Sequence, residues 1–171
     1  MRPVKRSPVC LSHTLSTVLR NALGVDVRAG LKRARSSTLR AFATCRQSVA
    51  ICADLNGDGA AAVASVHSLV GRSGQAAYVA SKHGVVGITK AAAIEYGGRG
   101  IRVNAVCPGY IDTPLLKDTP AEFREQLAAK HPVGRLGTSE EVTDVTAFLL
   151  GDGAGFVTGA AYTVDGGFTA Q

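Results

Sequence analysis

The sequence lacks the features that mark membrane-spanning, disulfide-bonded and fibrous proteins. It has no tryptophan, five phenylalanines and four tyrosines in 171 residues, and no apolar run approaches the length of a membrane-spanning helix. The four cysteines show neither CxxC spacing nor pairing with histidine, so we expect free thiols and no metal site. With 46% hydrophobic and 19% charged residues, the composition is that of a soluble globular protein.

Acidic residues are nearly absent from the first part of the chain. Residues 1–48 contain ten Lys and Arg against one acid, whereas residues 49–171 contain nine against twelve. We therefore divide the chain into a basic, disordered extension, 1–47, and a folded domain, 48–171. The extension has three open interpretations: an organelle-targeting segment, a nucleic-acid-binding arm, or a tail without an evolved role. The last is favoured, since no aromatic residues alternate with the charges as a base-stacking surface requires.

Short apolar strands alternate with helices from residue 48 onward. Val49–Ala53 has the apolar, β-branched composition of a buried parallel strand. Gln75–Tyr96 carries apolar residues at helical spacing and is followed by glycines that end a helix. The order of the elements predicts an α/β fold with a parallel sheet flanked by helices. The other predicted elements are a strand over Ile101–Cys107, helices over Pro120–Lys130 and Ser139–Leu150 with Ser139 as N-cap, and a strand over Ala161–Val164.

Three polar side chains have spacing suited to acid–base chemistry. Tyr78 and Lys82 lie four residues apart on the long predicted helix, so they share one face. A phenol, whose ordinary pKa is near ~10, is a poor proton donor or acceptor at neutral pH, and a nearby ammonium favours its ionised form. Ser65 precedes Tyr78 by thirteen residues, on a predicted loop after a strand, where its hydroxyl could hold a carbonyl beside the tyrosine.

These residues belong to a longer pattern. The segment SVHSLVGRSGQAAYVASK, from Ser65 to Lys82, resembles the catalytic signature of the short-chain dehydrogenase/reductase family. The resemblance covers about 107 residues, 65–171, with several further motifs in the family's order. These motifs are Gly84–Lys90, Ile101–Gly109, Thr113-Pro114, His131–Arg135 and Val157–Gly167.

The resemblance implies a Rossmann-like fold and an oxidoreductase that transfers hydride between a nicotinamide cofactor and a carbonyl or secondary alcohol. It implies that Tyr78 is the proton donor and acceptor and also contacts the cofactor, that Lys82 assists it and binds the nicotinamide ribose, and that Ser65 orients the reacting group. It also implies a small-molecule substrate, a homo-oligomer or association with homologues, a cytoplasmic location, and no nucleic acid or membrane partner. Contacts with the nicotinamide carboxamide are implied for Pro108, Gly109, Ile111 and Thr113.

Asp54 bears on the choice between NAD and NADP. The stretch Val49–Ala64 resembles the second strand of the family's dinucleotide fold and the helix after it, with Asp54 at the strand's end. An acid there accepts hydrogen bonds from the adenosine ribose and repels a 2′-phosphate, which favours NAD without excluding NADP. A helix-capping or turn aspartate is an equally good interpretation of the same residue.

Two departures from the family pattern predict that the fold is incomplete. In residues 28–37, where the family has its glycine-rich phosphate-binding turn, one glycine remains. Only eleven positions separate Asp54 from Ser65, whereas the family places further strands and helices there. We therefore expect several N-terminal strands to be missing, through an internal deletion or an omitted exon joined at Ala64 and Ser65. A second functional interpretation follows: a catalytically impaired remnant that acts by associating with intact homologues.

Overall fold

The computed structural model describes residues 40–45, 49–53, 58–116 and 118–171. Within them, five strands form one sheet in the order of the chain. No helix in these ranges is long and apolar enough to cross a membrane. The strands are β1 (Arg40–Cys45), β2 (Val49–Ala53), β3 (Gly59–Val63), β4 (Arg102–Pro108) and β5 (Ala161–Val164), and the helices are α1 (Ala76–Gly97), α2 (Ala121–Ala128) and α3 (Ser139–Leu150).

Three of the strands are parallel. β4 pairs with β3 on one side and with β5 on the other, so that Val63 lies opposite Val106 and Pro108 lies opposite Val164. Helix α1 connects β3 to β4, and helices α2 and α3 lie between β4 and β5. Parallel neighbours require such long connections. This arrangement confirms the predicted fold class, a parallel sheet flanked by helices.

Small side chains allow α1 to pack closely on the parallel strands. The four residues Gly59–Ala62 are all buried, and α3 also contacts β3 and β4, so both faces of the central strands are covered. Cys107 in this core is a free, buried thiol. The cluster beneath α1 consists of Ala62, Ala64, Val85, Val86, Ala105 and Cys107.

The orientation predicted for Val49–Ala53 is wrong. The segment is a strand, as expected, but β2 runs antiparallel to β3, with Ala53 opposite Ala60. The connection between Ala53 and Gly59 is only five residues long. A parallel crossover needs about a dozen residues or more, whereas a hairpin needs only a few. The Asn56-Gly57 pair is a typical hairpin signal, although residues 54–57 lie outside the described ranges.

The helix implied by the family resemblance up to Ala64 is also absent. Gly59–Val63 forms β3 instead, because pairing on both sides and burial in the core outweigh the helix propensity of its alanines. The strand that leads into Ser65 is therefore present. Arg40–Cys45, which the sequence assigns to the basic extension, pairs with β2 as strand β1.

The later elements match their predicted positions closely, with one correction. Helix α3 covers Ser139–Leu150 as expected, but its N-cap is Thr138 and not Ser139. The Thr138 hydroxyl accepts from the Glu141 N–H (3.3 Å), and the Glu141 carboxylate accepts from the Thr138 N–H (2.8 Å). Arg135 donates two further bonds to this carboxylate, and together these donors lower the pKa of Glu141 to about 2.

Asn104 holds the parallel strands to the segment that precedes β5. Its side chain is fully buried, donates to the Val157 carbonyl oxygen (2.8 Å) and accepts from the Ala160 N–H (3.2 Å). Both polar atoms of the amide are thus satisfied inside the core, as a buried amide requires. Asn104 therefore helps to fix the register of β5 against β4.

The cap of α3 gives a direct stability test. Thr138→Ala removes the hydroxyl that accepts from the helix's first turn, and we expect the free energy of unfolding to fall by about 1 kcal/mol. Thr143→Ala is the matched control in the same helix, since its exposed hydroxyl only donates back to Ser139. We expect it to change stability by less than about 0.5 kcal/mol. Urea unfolding at pH 7 measures both, and equal effects would contradict the assigned cap.

Candidate active site

Ser65 stands where β3 leaves the sheet. Its hydroxyl caps a short 3₁₀ turn, Val66–Ser68, by accepting from the His67 N–H (3.2 Å), while the Ser65 N–H donates to the Ser68 hydroxyl (3.2 Å). The residue is 8% exposed. Because the oxygen accepts this bond, the hydroxyl hydrogen can be donated to a ligand. The turn therefore fixes Ser65 in one orientation at the carboxyl edge of the sheet.

Tyr78 and Lys82 occupy successive turns of α1 close to this edge. The Tyr78 side chain is 39% exposed, whereas Lys82 is 8% exposed. The Lys82 Nζ lies 5.8 Å from the centroid of the Tyr78 ring and donates to the Val63 carbonyl oxygen at 3.4 Å. Burial lowers the pKa of Lys82 below its ordinary value. The structure thus brings the ammonium beside the phenol, at the end of the strand that carries Ser65.

One open cleft joins these residues to the end of β4. Its volume is about 520 Å³, and Ser65, Tyr78 and Gly109 all contribute to its walls. The sequence-predicted hydroxyl pair therefore faces a common space large enough for a small molecule. The remaining lining residues are Val66, His67, Arg72, Gly74, Gln75, Ala76, Ala77 and Tyr110.

The segment after β4 turns tightly against the neighbouring elements. The Gly109 N–H donates to the Val164 carbonyl oxygen (3.0 Å), and the Tyr110 N–H donates to His131 Nε2 (3.1 Å). A Cβ on Gly109 would lie 2.7 Å from His131 Nε2 and 3.1 Å from the Asp165 Cα, so only glycine fits there. The close approach places this backbone on the wall of the cleft.

The other residues predicted to bind cofactor are distributed along this segment. Ile111 forms a β-bridge with Gly137 and lines a second, smaller cleft of about 300 Å³. Pro108 ends β4, and half-buried Thr113 precedes a 3₁₀ turn, Pro114–Leu116. Among the described residues, Pro108 and Thr113 line neither cleft. Asp54, the residue predicted to contact the adenosine ribose, lies outside the described ranges.

His131 holds this segment in place. It is 3% exposed, its Nδ1 lies 3.0 Å from the Leu127 carbonyl oxygen, and its Nε2 accepts from the Tyr110 N–H. Since Nε2 accepts, the ring hydrogen lies on Nδ1, which donates to the Leu127 carbonyl oxygen. From the sequence, His131 is only a member of a family motif, without a role of its own. The structure makes it the residue that positions the Gly109-Tyr110 backbone.

His67 is a site residue that could not be assigned from the sequence patterns described above. Its side chain is 4% exposed and lines the cleft, yet neither ring nitrogen has a hydrogen-bond partner among the described residues. Its ring contacts Tyr78, Tyr110 and Phe168 edge-on at centroid distances of 6.1, 6.2 and 6.1 Å. Burial and the nearby positive charge of Arg72 lower its pKa. Its position two residues after Ser65, inside the catalytic signature, was the available signal.

The sequence matches the family model described as enoyl-(acyl carrier protein) reductase over residues 17–169, which is most of the chain. The chain belongs to the short-chain dehydrogenase/reductase family. The match confirms the family that the motifs from Ser65 onward indicate.

Relatives within this family act on diverse alcohols. Cyclohexanol dehydrogenase of Acinetobacter sp. (strain SE19) is 50% identical over 109 residues, which are 63% of this chain and 42% of the relative. Cis-4-hydroxycyclohexanecarboxylate dehydrogenase of Sinomonas cyclohexanicum is 47% identical over 115 residues, 66% of this chain and 46% of the relative. This chain therefore spans less than half the length of these dehydrogenases.

Solved structures of the family also match this chain over only part of their length. 4-Hydroxyisoleucine dehydrogenase complexed with NADH has a TM-score of 0.62 and 34% identity, covering 65% of this chain and 46% of that one. A gluconate 5-dehydrogenase from Burkholderia cenocepacia J2315, in complex with NADP and tartrate, has a TM-score of 0.60 and 33% identity, covering 64% and 44%. The partial coverage agrees with the incomplete Rossmann-like fold expected from the sequence.

The buried imidazole of His67 predicts an acid-sensitive fold. Its pKa in the folded chain lies below the ordinary value of 6.5, so the unfolded chain takes up a proton first as pH falls. The contribution of the neutral His67 imidazole to the free energy of unfolding is present above about pH 6.5. It is lost as the pH falls toward the pKa of the folded chain. We expect the melting temperature to drop between pH 7.5 and 5.5, and to drop less in His67→Phe.

His83→Phe is the matched control, because His83 lies exposed on α1. We expect its melting temperature to follow that of the unmodified chain across the same pH range. Differential scanning calorimetry of the three proteins measures the slopes, and parallel slopes for all three would show that His67 does not titrate on unfolding.

Proposed function

We propose that this chain is an NAD(P)-dependent oxidoreductase that transfers hydride between a nicotinamide cofactor and the carbonyl or secondary alcohol of a small molecule. The observation that carries the proposal is the common cleft of Ser65 and Tyr78, with the Lys82 ammonium 5.8 Å from the Tyr78 ring. Family membership supports the same chemistry. The catalytic residues proposed are therefore Ser65, Tyr78 and Lys82.

In the proposed reduction, the substrate carbonyl oxygen accepts hydrogen bonds from the Ser65 and Tyr78 hydroxyls. A nicotinamide held beside Lys82 and the Pro108 to Thr113 segment would supply the hydride for the carbonyl carbon. The Tyr78 O–H bond then breaks, its proton passes to the substrate oxygen, and an alcohol results. Lys82 stabilises the phenolate left behind, because an opposite charge close by favours the ionised form. The oxidation of an alcohol uses the same groups in reverse.

The described residues fit the nicotinamide end of the cofactor. The glycine at position 109 lets the backbone approach the cleft, and the Val63 carbonyl oxygen holds the Lys82 ammonium near the Tyr78 ring. We propose that Lys82 also binds the nicotinamide ribose and that the segment Pro108 to Thr113 holds the carboxamide through Pro108, Gly109, Ile111 and Thr113. The carboxyl ends of parallel strands are the usual position for such ligands. The adenosine end falls on residues outside the described ranges.

For the adenosine end we propose NAD over NADP, with Asp54 accepting hydrogen bonds from the ribose hydroxyls. Solved relatives carry one or the other: 4-hydroxyisoleucine dehydrogenase is complexed with NADH, and the gluconate 5-dehydrogenase with NADP. We also propose that the chain works in the cytoplasm as a homo-oligomer or with homologues, and that the catalytic domain consists of residues 48–171 together with strand β1, which pairs with β2.

A second candidate is a catalytically impaired remnant that associates with intact homologues. It is favoured because this chain covers less than half the length of each of the two relatives, and because residues 28–37 contain a single glycine. It predicts co-purification with a full-length homologue and no binding of NADH or NADPH. The two candidates therefore differ in one measurable step, the binding of cofactor.

Removing the phenolic hydroxyl tests the catalytic proposal. We expect Tyr78→Phe to lower kcat for cyclohexanone reduction by at least about 100-fold, the contribution typical of a positioned general acid, while NADH binding changes little. Tyr162→Phe, in β5 and away from the cleft, is the matched control and should retain full activity. Steady-state kinetics with purified full-length chain measures both. Equal activity in Tyr78→Phe and the unmodified chain would refute the role of Tyr78.

Cofactor titration tests the binding step and the preference. We expect NADH to bind more tightly than NADPH, and Asp54→Ala to reduce that difference, because the repulsion of the 2′-phosphate is lost. Asp144→Ala, on the exposed part of α3, is the charge-matched control. Nicotinamide fluorescence reports both affinities. Binding of neither cofactor would favour the remnant, and an unchanged ratio in Asp54→Ala would remove Asp54 from the site.

A further inference from the structure

His67 is a polar side chain buried at the cleft without a partner among the described residues. A neutral imidazole presents one N–H donor and one acceptor nitrogen. At 4% exposure neither has a hydrogen-bond partner within 3.5 Å among the described residues, and the Val70 backbone makes only a longer contact that opposes the lowering of the His67 pKa. Leaving a buried donor or acceptor without a partner is costly, so native structures rarely do it without a reason. The ring lies 6.1 Å from the Tyr78 ring, so a ligand that reacts at Tyr78 can reach His67 with a neighbouring group.

Positive charge surrounds the same part of the cleft. Half-buried Arg72 lines it, and both the Arg72 guanidinium and the Lys130 ammonium lie 5.7 Å from the centroid of the Tyr110 ring, which also lines it. Both cations act on the His67 imidazole electrostatically. No Asp or Glu is among the described residues that line the cleft. A ligand placed here therefore meets positive charge and an unused N–H donor.

We infer that the cleft binds the carboxylate of an oxo-acid or hydroxy-acid substrate, with His67 as hydrogen-bond donor and Arg72 as charge partner. The inference rests on the proposed function for the position of the reacting carbonyl, between Ser65 and Tyr78. The His67 N–H satisfies one carboxylate oxygen, and the guanidinium of Arg72 neutralises the charge that the cleft would otherwise desolvate. His67 and Arg72 thus select acidic substrates over neutral ones.

Aromatic packing alone is the competing explanation for His67. The edge-on contacts with Tyr78, Tyr110 and Phe168 would be served as well by phenylalanine, which has no nitrogen to leave unsatisfied. A packing role accounts for the ring but gives neither nitrogen a function. It also predicts no difference between acidic and neutral ligands, so the two explanations can be separated by experiment.

The test compares 4-oxocyclohexanecarboxylate with 4-oxocyclohexanecarboxamide, which has nearly the same shape and no charge. Isothermal titration calorimetry of the full chain, with and without NADH, gives both affinities. We expect the acid to bind at least about tenfold more tightly than the amide, the scale of a charge-assisted hydrogen bond.

Imidazole NMR spectra reveal which of the four histidines responds. We expect the acid to shift the His67 signals and to leave those of exposed His83 unchanged.

Matched substitutions assign the effect to residues. We expect His67→Phe and Arg72→Gln each to reduce the affinity for the acid about tenfold and to leave that for the amide within about twofold. His67→Gln, which keeps a hydrogen-bond donor, should recover part of the lost affinity. Such a recovery would show that the loss in His67→Phe comes from the missing donor and not from a packing defect. His83→Phe and Lys90→Gln, both exposed on α1, are the controls for ring and charge.

The outcomes separate this inference from the proposed function. Selective binding of the acid that depends on His67 and Arg72 supports the inference even when no turnover occurs, in which case only the proposed function fails. Turnover with equal affinity for acid and amide overturns the inference and leaves the proposed function standing. Absence of any response of the His67 signals to the acid, or a preference for the acid that persists in both variants, also overturns it.

Discussion

Parallel hydrogen bonding between β3 and β4 brings two distant segments of the chain to one edge of the sheet. The 22-residue helix α1 separates these strands in sequence, yet their register sets Ser65 beside the segment that begins at Pro108. The same helix carries Tyr78 and Lys82 back across the strands, with Lys82 bonded to the last residue of β3. The approach of the Pro108 segment to Ser65 depends on this pairing, because the two segments are far apart in the sequence.

Small residues make the pairing possible. Alanines in β3 and β4 let α1 approach until Val85 and Val86 pack against them, and the glycine at 109 lets the chain turn without striking His131. The consequence is a short distance between helix and sheet edge. Lys82 is long enough to cross it and becomes buried there, which lowers its pKa and keeps the ammonium beside Tyr78.

The buried polar side chains among the described residues include satisfied and unsatisfied ones. His131 and Asn104 are as buried as His67, but each bonds to backbone groups and serves the fold. His67 makes no hydrogen bond within 3.5 Å among the described residues, although it lies at the centre of an aromatic group. A sequence cannot separate these cases, because the difference lies in which backbone atoms happen to face each ring.

Local patterns in the chain were enough to predict the long helix, the strands that follow it, the final strand Ala161–Val164 and the four-residue spacing of Tyr78 and Lys82. Helical periodicity, turn residues and i,i+4 geometry act over a few residues, so they can be recognised from the sequence alone. The antiparallel direction of β2, the strand conformation of Gly59–Val63, the cap at Thr138 and the isolation of His67 came only from tertiary structure. Each depends on partners distant in sequence, whose pairing and burial override local propensity.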